Sequence, residues 1–215
     1  MMSLIVGSSA SGKSEFAEKR ALDRYNQLKS SISAVSGGKL RYDFNGSLVY
    51  LATMINSDSE TGERIDRHVA RRLDKGFETL EVPYDLGKIT DSSLPPNSVV
   101  LLECLSNLLA NEMFSYPGER ALQYDTVAEK LFNDIKTLRL RCHDLIIVSN
   151  NVFEDGIDYE GETAVYIKYL GELHRKLCAI CDEVFEVVVG IPVNLRKRNL
   201  NAPEAEGHKK IRWVL

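Results

Sequence analysis

Gly7-Ser8-Ser9-Ala10-Ser11-Gly12-Lys13-Ser14 decides how this chain is read. The eight residues satisfy G-x-x-x-x-G-K-[ST] at every specified position, and the flanks have the order that pattern requires. A short apolar run, Leu4-Ile5-Val6, leads into the loop, and a helix-forming stretch from Glu15 to about Tyr25 follows it. Strand, loop and helix N-terminus together make a phosphate cradle, in which consecutive backbone N–H groups surround negative charge. Gly7 and Gly12 allow backbone conformations closed to other residues and a close approach to the ligand. Lys13 is expected to act on β/γ-phosphate charge in catalysis, and the Ser14 hydroxyl to ligate Mg²⁺. All eight residues, Gly7 to Ser14, are therefore predicted contacts of a nucleoside triphosphate, GTP or ATP. A Ser/Gly-rich surface loop that matched by chance would have no need of those flanks.

Outward from the loop, apolar runs rich in β-branched residues recur at 4–6, 48–53, 79–82, 99–103, 145–149 and 184–189. Helical patterns separate them, at 15–28, 60–75, 105–114, 120–141 and 162–181. Several strand runs are continuous rather than alternating, the mark of strands covered on both faces. The predicted fold is α/β: a mostly parallel central sheet flanked by helices, a P-loop NTPase-like three-layer sandwich. Its ligand site belongs at the C-terminal ends of the strands. Residues 1–195 read as a single nucleotide-binding catalytic domain, with 30–44 a surface insertion. Residues 196–215 read as a charged C-terminal tail that carries the only tryptophan, Trp213.

At 215 residues the chain can bury one sizeable core. A net charge of −4 offers no electrostatic footprint for nucleic acid. No apolar stretch approaches the ~20 residues of a membrane span, and no leader-like segment precedes the loop, so the cytoplasm is expected. Cys104, Cys142, Cys178 and Cys181 do not form a disulfide-framework pattern in a chain of this size. Cys178 and Cys181 have redox or metal-site spacing, but the helical pattern around them reads as two small side chains packed in a core.

Two further places carry chemistry. Val99-Val100-Leu101-Leu102-Glu103 puts a carboxylate directly after four apolar residues. Burying it unpaired is costly, so Glu103 is expected in the Mg²⁺ shell rather than idle at a strand end. In the stretch from Gly62 to Arg72, Arg64, His68 and Arg71 can share a helix face. Arginines there can grip phosphate, and an imidazole among them can attack an α-phosphorus. Spacing alone leaves the plainer reading, a solvated charged face, open.

The chain resembles the bifunctional adenosylcobinamide kinase / adenosylcobinamide-phosphate guanylyltransferases of cobalamin biosynthesis. The likeness runs through the loop at 7–14, Tyr50-Leu51-Ala52-Thr53, Arg64-Ile65, His68, Arg71-Arg72 and Phe77-Glu78-Thr79-Leu80-Glu81. It continues through Val100 to Leu105, Asn107 to Asn111, Ile147 to Asn150 and Val188 to Val193. The resemblance implies phosphorylation of the adenosylcobinamide hydroxyl by a nucleoside triphosphate, then GMP transfer from GTP with release of pyrophosphate. It implies that His68 carries GMP as a covalent phosphoramidate, and that Arg64, Arg71, Arg72, Glu81 and Glu103 belong to the nucleotide site. It further implies a corrinoid substrate and a homo-oligomer, a trimer.

Departures from the family pattern fall at Asn151, where the family usually has Glu, and at Lys168-Tyr169 and His174, where Arg-Asp and Asn are common. Alternative readings are a P-loop kinase for another small hydroxyl compound, or a nucleotide-binding protein without catalysis. His143 reads as a turn residue and His174 as structural, and His208 in the tail is assigned nothing.

Overall fold

Strands that are apolar at every position can be accommodated only where both sheet faces are covered. The computed structural model describes residues 1–35, 44–55, 59–89, 93–115, 123–153 and 156–197. Among these it forms a seven-stranded sheet from β1 (Met2–Gly7), β2 (Leu48–Ala52), β3 (Glu78–Glu81), β4 (Val99–Glu103), β5 (Asp144–Asn150), β6 (Glu183–Val188) and β7 (Ile191–Lys197). The order is β3-β2-β4-β5-β1-β6-β7, parallel throughout except for β7, which returns antiparallel to β6. The helices are α1 (Lys13–Val35), α2 (Ser59–Arg72), α3 (Leu105–Ala110), α4 (Tyr124–Arg141) and α5 (Gly161–Ile180). The expected α/β class and mostly parallel sheet are what the chain forms.

Side chains alternate across the pleat, so neighbouring positions fill opposite layers. Leu4, Leu51, Leu102 and Ile147 face a core completed by Leu108, Leu131, Ile135, Leu170 and Leu177 of α3, α4 and α5. Ile5, Tyr50, Leu101 and Val148 face a second core completed by Ala17 and Ala21 of α1. Small residues on α1 let that long helix lie close to the sheet, and this brings its N-terminus to the end of β1. The arrangement is a three-layer sandwich with the phosphate loop at the C-terminal edge of its strands.

The elements depart from the sequence reading in four places. Helix α1 continues to Val35, six residues into the stretch expected to be an insertion at 30–44. Ser30 and Ser31 donate to the carbonyls of Asn26 and Gln27 one turn back, so their hydroxyls are satisfied within the helix and do not compete with it through a local turn. The 105–114 pattern forms α3 and then a π-helical turn, Asn111–Ser115. A seventh strand, β7, was not expected, and Arg196 and Lys197 of the expected tail belong to it. Residues 36–43 of the insertion and 198–215 of the tail, with His208 and Trp213, lie outside the described residues.

All four cysteines are free, three of them buried and Cys178 partly so. Among the described residues no helix is long and apolar enough to cross a membrane.

Ile147 is fully buried at the centre of the sheet, between β1 and β4. Ile147→Ala should lower unfolding free energy by about 2–5 kcal/mol through lost burial and a residual cavity. Urea titration checks this: the midpoint falls while the m-value stays unchanged.

Candidate active site

The phosphate loop is built by backbone geometry before any side chain acts. β1 ends at Gly7, whose carbonyl accepts from Asn151 N–H at 2.9 Å. The chain then turns sharply, with Ala10 at φ 57° and Gly12 at φ 89°, and enters α1 at Lys13. A side chain on Gly7 would meet the Ser11 hydroxyl at 2.5 Å and the Val187 carbonyl at 2.7 Å. One on Gly12 would come within 3.1 Å of the Gly190 Cα. Both glycines are therefore required by close approach, and Gly12 also by its left-handed φ. From behind, the Gly190 N–H donates to the Ser11 carbonyl at 2.8 Å, so the β6–β7 turn braces the loop. Ser8, Ser9 and Ala10 are exposed at the rim, while Ser11 and Lys13 are buried. The Lys13 ammonium folds over the loop to the Ser8 carbonyl at 2.9 Å, above the N-terminus of a 23-residue helix.

Glu103, the last residue of β4, stands opposite. One carboxylate oxygen accepts from the Ser14 hydroxyl, and the other from the Tyr50 hydroxyl at 3.1 Å. The strand register sets this meeting: Ala52 of β2 lies beside Glu103, which leaves Tyr50 two residues back on the same strand. Burial, followed by the neighbouring Glu103 charge, pushes the Tyr50 phenol far above its ordinary pKa, so it stays a hydrogen-bond donor. Arg72 then lies over the Tyr50 ring, its guanidinium carbon 3.5 Å from the centroid. Arg72 is 5% exposed, and its Nε and Nη1 have no hydrogen-bond partner among the described residues. A buried cation in that state calls for an anion. Just beyond it, Lys75 pairs with the wholly buried Glu18 of α1 at 2.6 Å, tying the end of α2 to the body.

These groups border one open cavity of about 600 Å³, within the usual range for a small-molecule site. It brings together Lys13, Ser14, Arg72, Glu81 and Glu103 of the expected residues, with Ser9 to Gly12 of the loop. Gly7 and Ser8 act instead through the backbone. Glu81 lines the cavity from the exposed end of β3. Ile65 and Arg72 line it from α2, and His68 occupies the helix position three after the one and four before the other. Those spacings put all three positions on one face. The side chains of Arg64, His68 and Arg71 are outside the described residues.

Several polar residues of the site stood in the sequence only as parts of the matching motifs, with no role of their own. Asn107 and Asn150 line the cavity. Thr53 Oγ1 both accepts from Cys104 N–H at 2.7 Å and donates to the Cys104 carbonyl at 2.9 Å. The Asn111 amide holds the carbonyls of Thr53 and Pro83, fastening the ends of β2 and β3 together. The available signal was position, since each is a polar residue just after a strand or in the helix that follows it.

Two of the four departures, Asn151 and His174, are absorbed locally. Asn151 donates to Glu186 at 3.2 Å and accepts from the Phe153 N–H. His174 lies away from the cavity, its Nε2 2.7 Å from the Ser149 hydroxyl, and burial lowers its pKa to about 4. It is structural, as expected. His143 is half-exposed beside Asp144 at the start of β5.

Comparison with known proteins places this geometry. The family model described as cobinamide kinase / cobinamide phosphate guanyltransferase matches residues 3–195. The Pseudomonas aeruginosa bifunctional adenosylcobalamin biosynthesis protein CobP is 30% identical over 196 residues, covering 91% of this chain and 98% of its own length. The proteins of that description named CobU from Escherichia coli K12 and Salmonella typhimurium LT2 are 27% and 28% identical over 203 residues. Each alignment covers 91% of this chain and all of the relative.

Gly12→Ala should abolish nucleotide binding while leaving the far-UV spectrum native, because the new methyl meets the Gly190 backbone at a φ that alanine resists. Equilibrium binding of a fluorescent GTP analogue tests it. His174 has its own signature. Between pH 6.5 and about 4 the unfolded chain takes up a proton that the folded chain refuses, so stability falls as pH falls through that window. Titrated with urea at pH 7 and about pH 4.5, the natural protein should lose roughly 2–3 kcal/mol more than His174→Gln.

Proposed function

The chain belongs to the cobinamide kinase / cobinamide phosphate guanyltransferase family of cobalamin biosynthesis, and from that premise we propose that it runs both steps at the one cavity. In the first, the hydroxyl oxygen of adenosylcobinamide attacks the γ-phosphorus of GTP or ATP. The bond to the β-phosphate oxygen breaks, the nucleoside diphosphate leaves and the hydroxyl proton is lost. In the second, a ring nitrogen of His68 attacks the α-phosphorus of GTP and pyrophosphate leaves. A phosphate oxygen of the corrinoid product then displaces the histidine, yielding adenosylcobinamide-GDP and free imidazole.

The observation that carries the reading is the meeting of Ser14 and Glu103 beside the phosphate loop. A hydroxyl and a carboxylate in contact are the hard oxygen donors that Mg²⁺ takes from a protein when phosphates and waters supply the rest. These two residues would hold that ion, which supplies charge neutralisation to the bridging phosphate oxygens. Lys13 and the N–H groups of the loop bind β- and γ-phosphate charge. Arg72, buried with unpartnered donors, donates to a further phosphate oxygen, and Arg64 and Arg71 contribute from the same helix. Glu81, at the end of β3, suits donors on the nucleotide base or sugar. Tyr50 steers Glu103 and seats Arg72.

The position of His68 between Ile65 and Arg72 on a helix that borders the cavity supports it as the nucleophile. A neutral imidazole is a competent nucleophile near pH 7. Assembly as a homotrimer is part of the proposal. Ile191, Val193 and Leu195 are each about half exposed or more on the outermost strand, an apolar edge that a second copy would cover.

Incubation with Mg²⁺ and GTP labelled at the α-phosphorus should give protein-bound label that is acid-labile, base-stable and absent from His68→Ala. GTP binding without label would remove the guanylyl transfer and leave a kinase acting through the same loop.

A further inference from the structure

The cavity is matched in size to a nucleotide, and the second substrate is much larger. Accepting the reading above, the corrin ring must lie outside the cavity, with only its hydroxyl arm reaching in. The rim divides chemically. On the α2 side Arg72 lines the cavity; outside the cavity lining, behind its Cys104 and Asn150 wall, stand aromatic rings.

Phe114, in the π-helical turn, is 40% exposed. Its ring lies 5.8 Å from Tyr124 at an edge-on angle and 6.5 Å from Tyr166 at a tilt. Tyr166, on the first turns of α5, donates to the Ser106 carbonyl at 3.2 Å. The Ser106 hydroxyl in turn accepts from the Asn150 amide at 2.9 Å and lies 3.1 Å from the Cys104 sulfur. Cys104 and Asn150 both line the nucleotide cavity. The rings are thus joined to the cavity wall by a continuous run of contacts. On the other side of Asn150, Phe153 is 42% exposed, seated against Gly171 and edge-on to His174 at 5.6 Å.

We propose that Phe114, Tyr124 and Tyr166, with Phe153 across Asn150, form the shelf that receives the corrin ring of the substrate. A large flat macrocycle with apolar faces and amide-bearing edges suits rings of this kind, which offer area at little entropic cost. Asn107 and Asn150 line the cavity, and Asn150 is tied to the rings through Ser106, so in this proposal the hydroxyl arm passes by these two amides. The aromatic rings stay near-native without ligand because each packs against another.

The test is steady-state kinetics on the full chain with adenosylcobinamide and GTP, run with Phe114→Ala, Phe114→Trp and Phe153→Ala. Phe114→Ala should raise KM for adenosylcobinamide about tenfold, with KM for GTP unchanged. Phe114→Trp should recover most of that loss, and Phe153→Ala should show a smaller change of the same kind. An unchanged corrinoid KM in both alanine variants of an active enzyme overturns the shelf and leaves the proposed function standing. So does a change of oligomeric mass by light scattering without a KM change, which would make the surface a subunit contact. Wild-type protein that binds GTP but neither binds nor turns over adenosylcobinamide overturns the proposed function, and the shelf with it.

Discussion

The site rests on a carboxylate carried to the end of a strand that is buried along its whole length. Glu103 is 9% exposed, and such a group must be matched by donors that do not depend on water. Two are provided, from different elements. Tyr50 comes from the neighbouring strand by register, and Ser14 comes from the first turn of α1. Satisfying one buried charge thus fixes β2, β4 and the phosphate loop relative to one another. Arg72 then uses the face of Tyr50 whose edge is already committed to Glu103. The order of dependence is carboxylate, phenol, guanidinium, and each group is placed by the one before it.

Much of this was legible in the sequence, for reasons that can be named. The loop was legible because its two glycines, lysine and serine answer to backbone geometry and phosphate charge, which are local constraints. The parallel sheet was legible because runs such as Val99 to Leu102 have no polar face to give to solvent. Glu103 stood out by contrast with the four residues before it. What stayed hidden depends on register and distance in space. Tyr50 looks like any aromatic in a strand until β2 is laid beside β4. Asn150 and Ser106 meet across 44 positions of sequence. β7 was missed because Pro192 and Asn194 are poor strand formers and its apolar residues face outward. The end of α1 was missed because serines read as loop unless their back-bonding to the preceding turn is known.

The two halves of the rim also separate what the family resemblance had merged. In the proposed function, recognition of phosphate rests on backbone N–H groups and on cations contributed by α1 and α2. The opposite wall carries the amides of Asn107 and Asn150, and the proposed aromatic shelf beyond it draws on the π-helical turn, α4, α5 and the turn after β5. The likeness runs through both groups, whereas three of the four departures lie on α5.

The position of β1 has a consequence for biosynthesis. As the N-terminal strand it leaves the ribosome early, yet it sits between β5 and β6, whose first residues are Asp144 and Glu183. Its final brace, the Gly190 N–H on the Ser11 carbonyl, arrives later still. Through most of translation the glycine-rich loop hangs from a strand that has no neighbour to pair with. The nucleotide cradle therefore takes shape only after strands made far later in the chain are in place, and synthesis must pass Gly190 before the loop has its last brace.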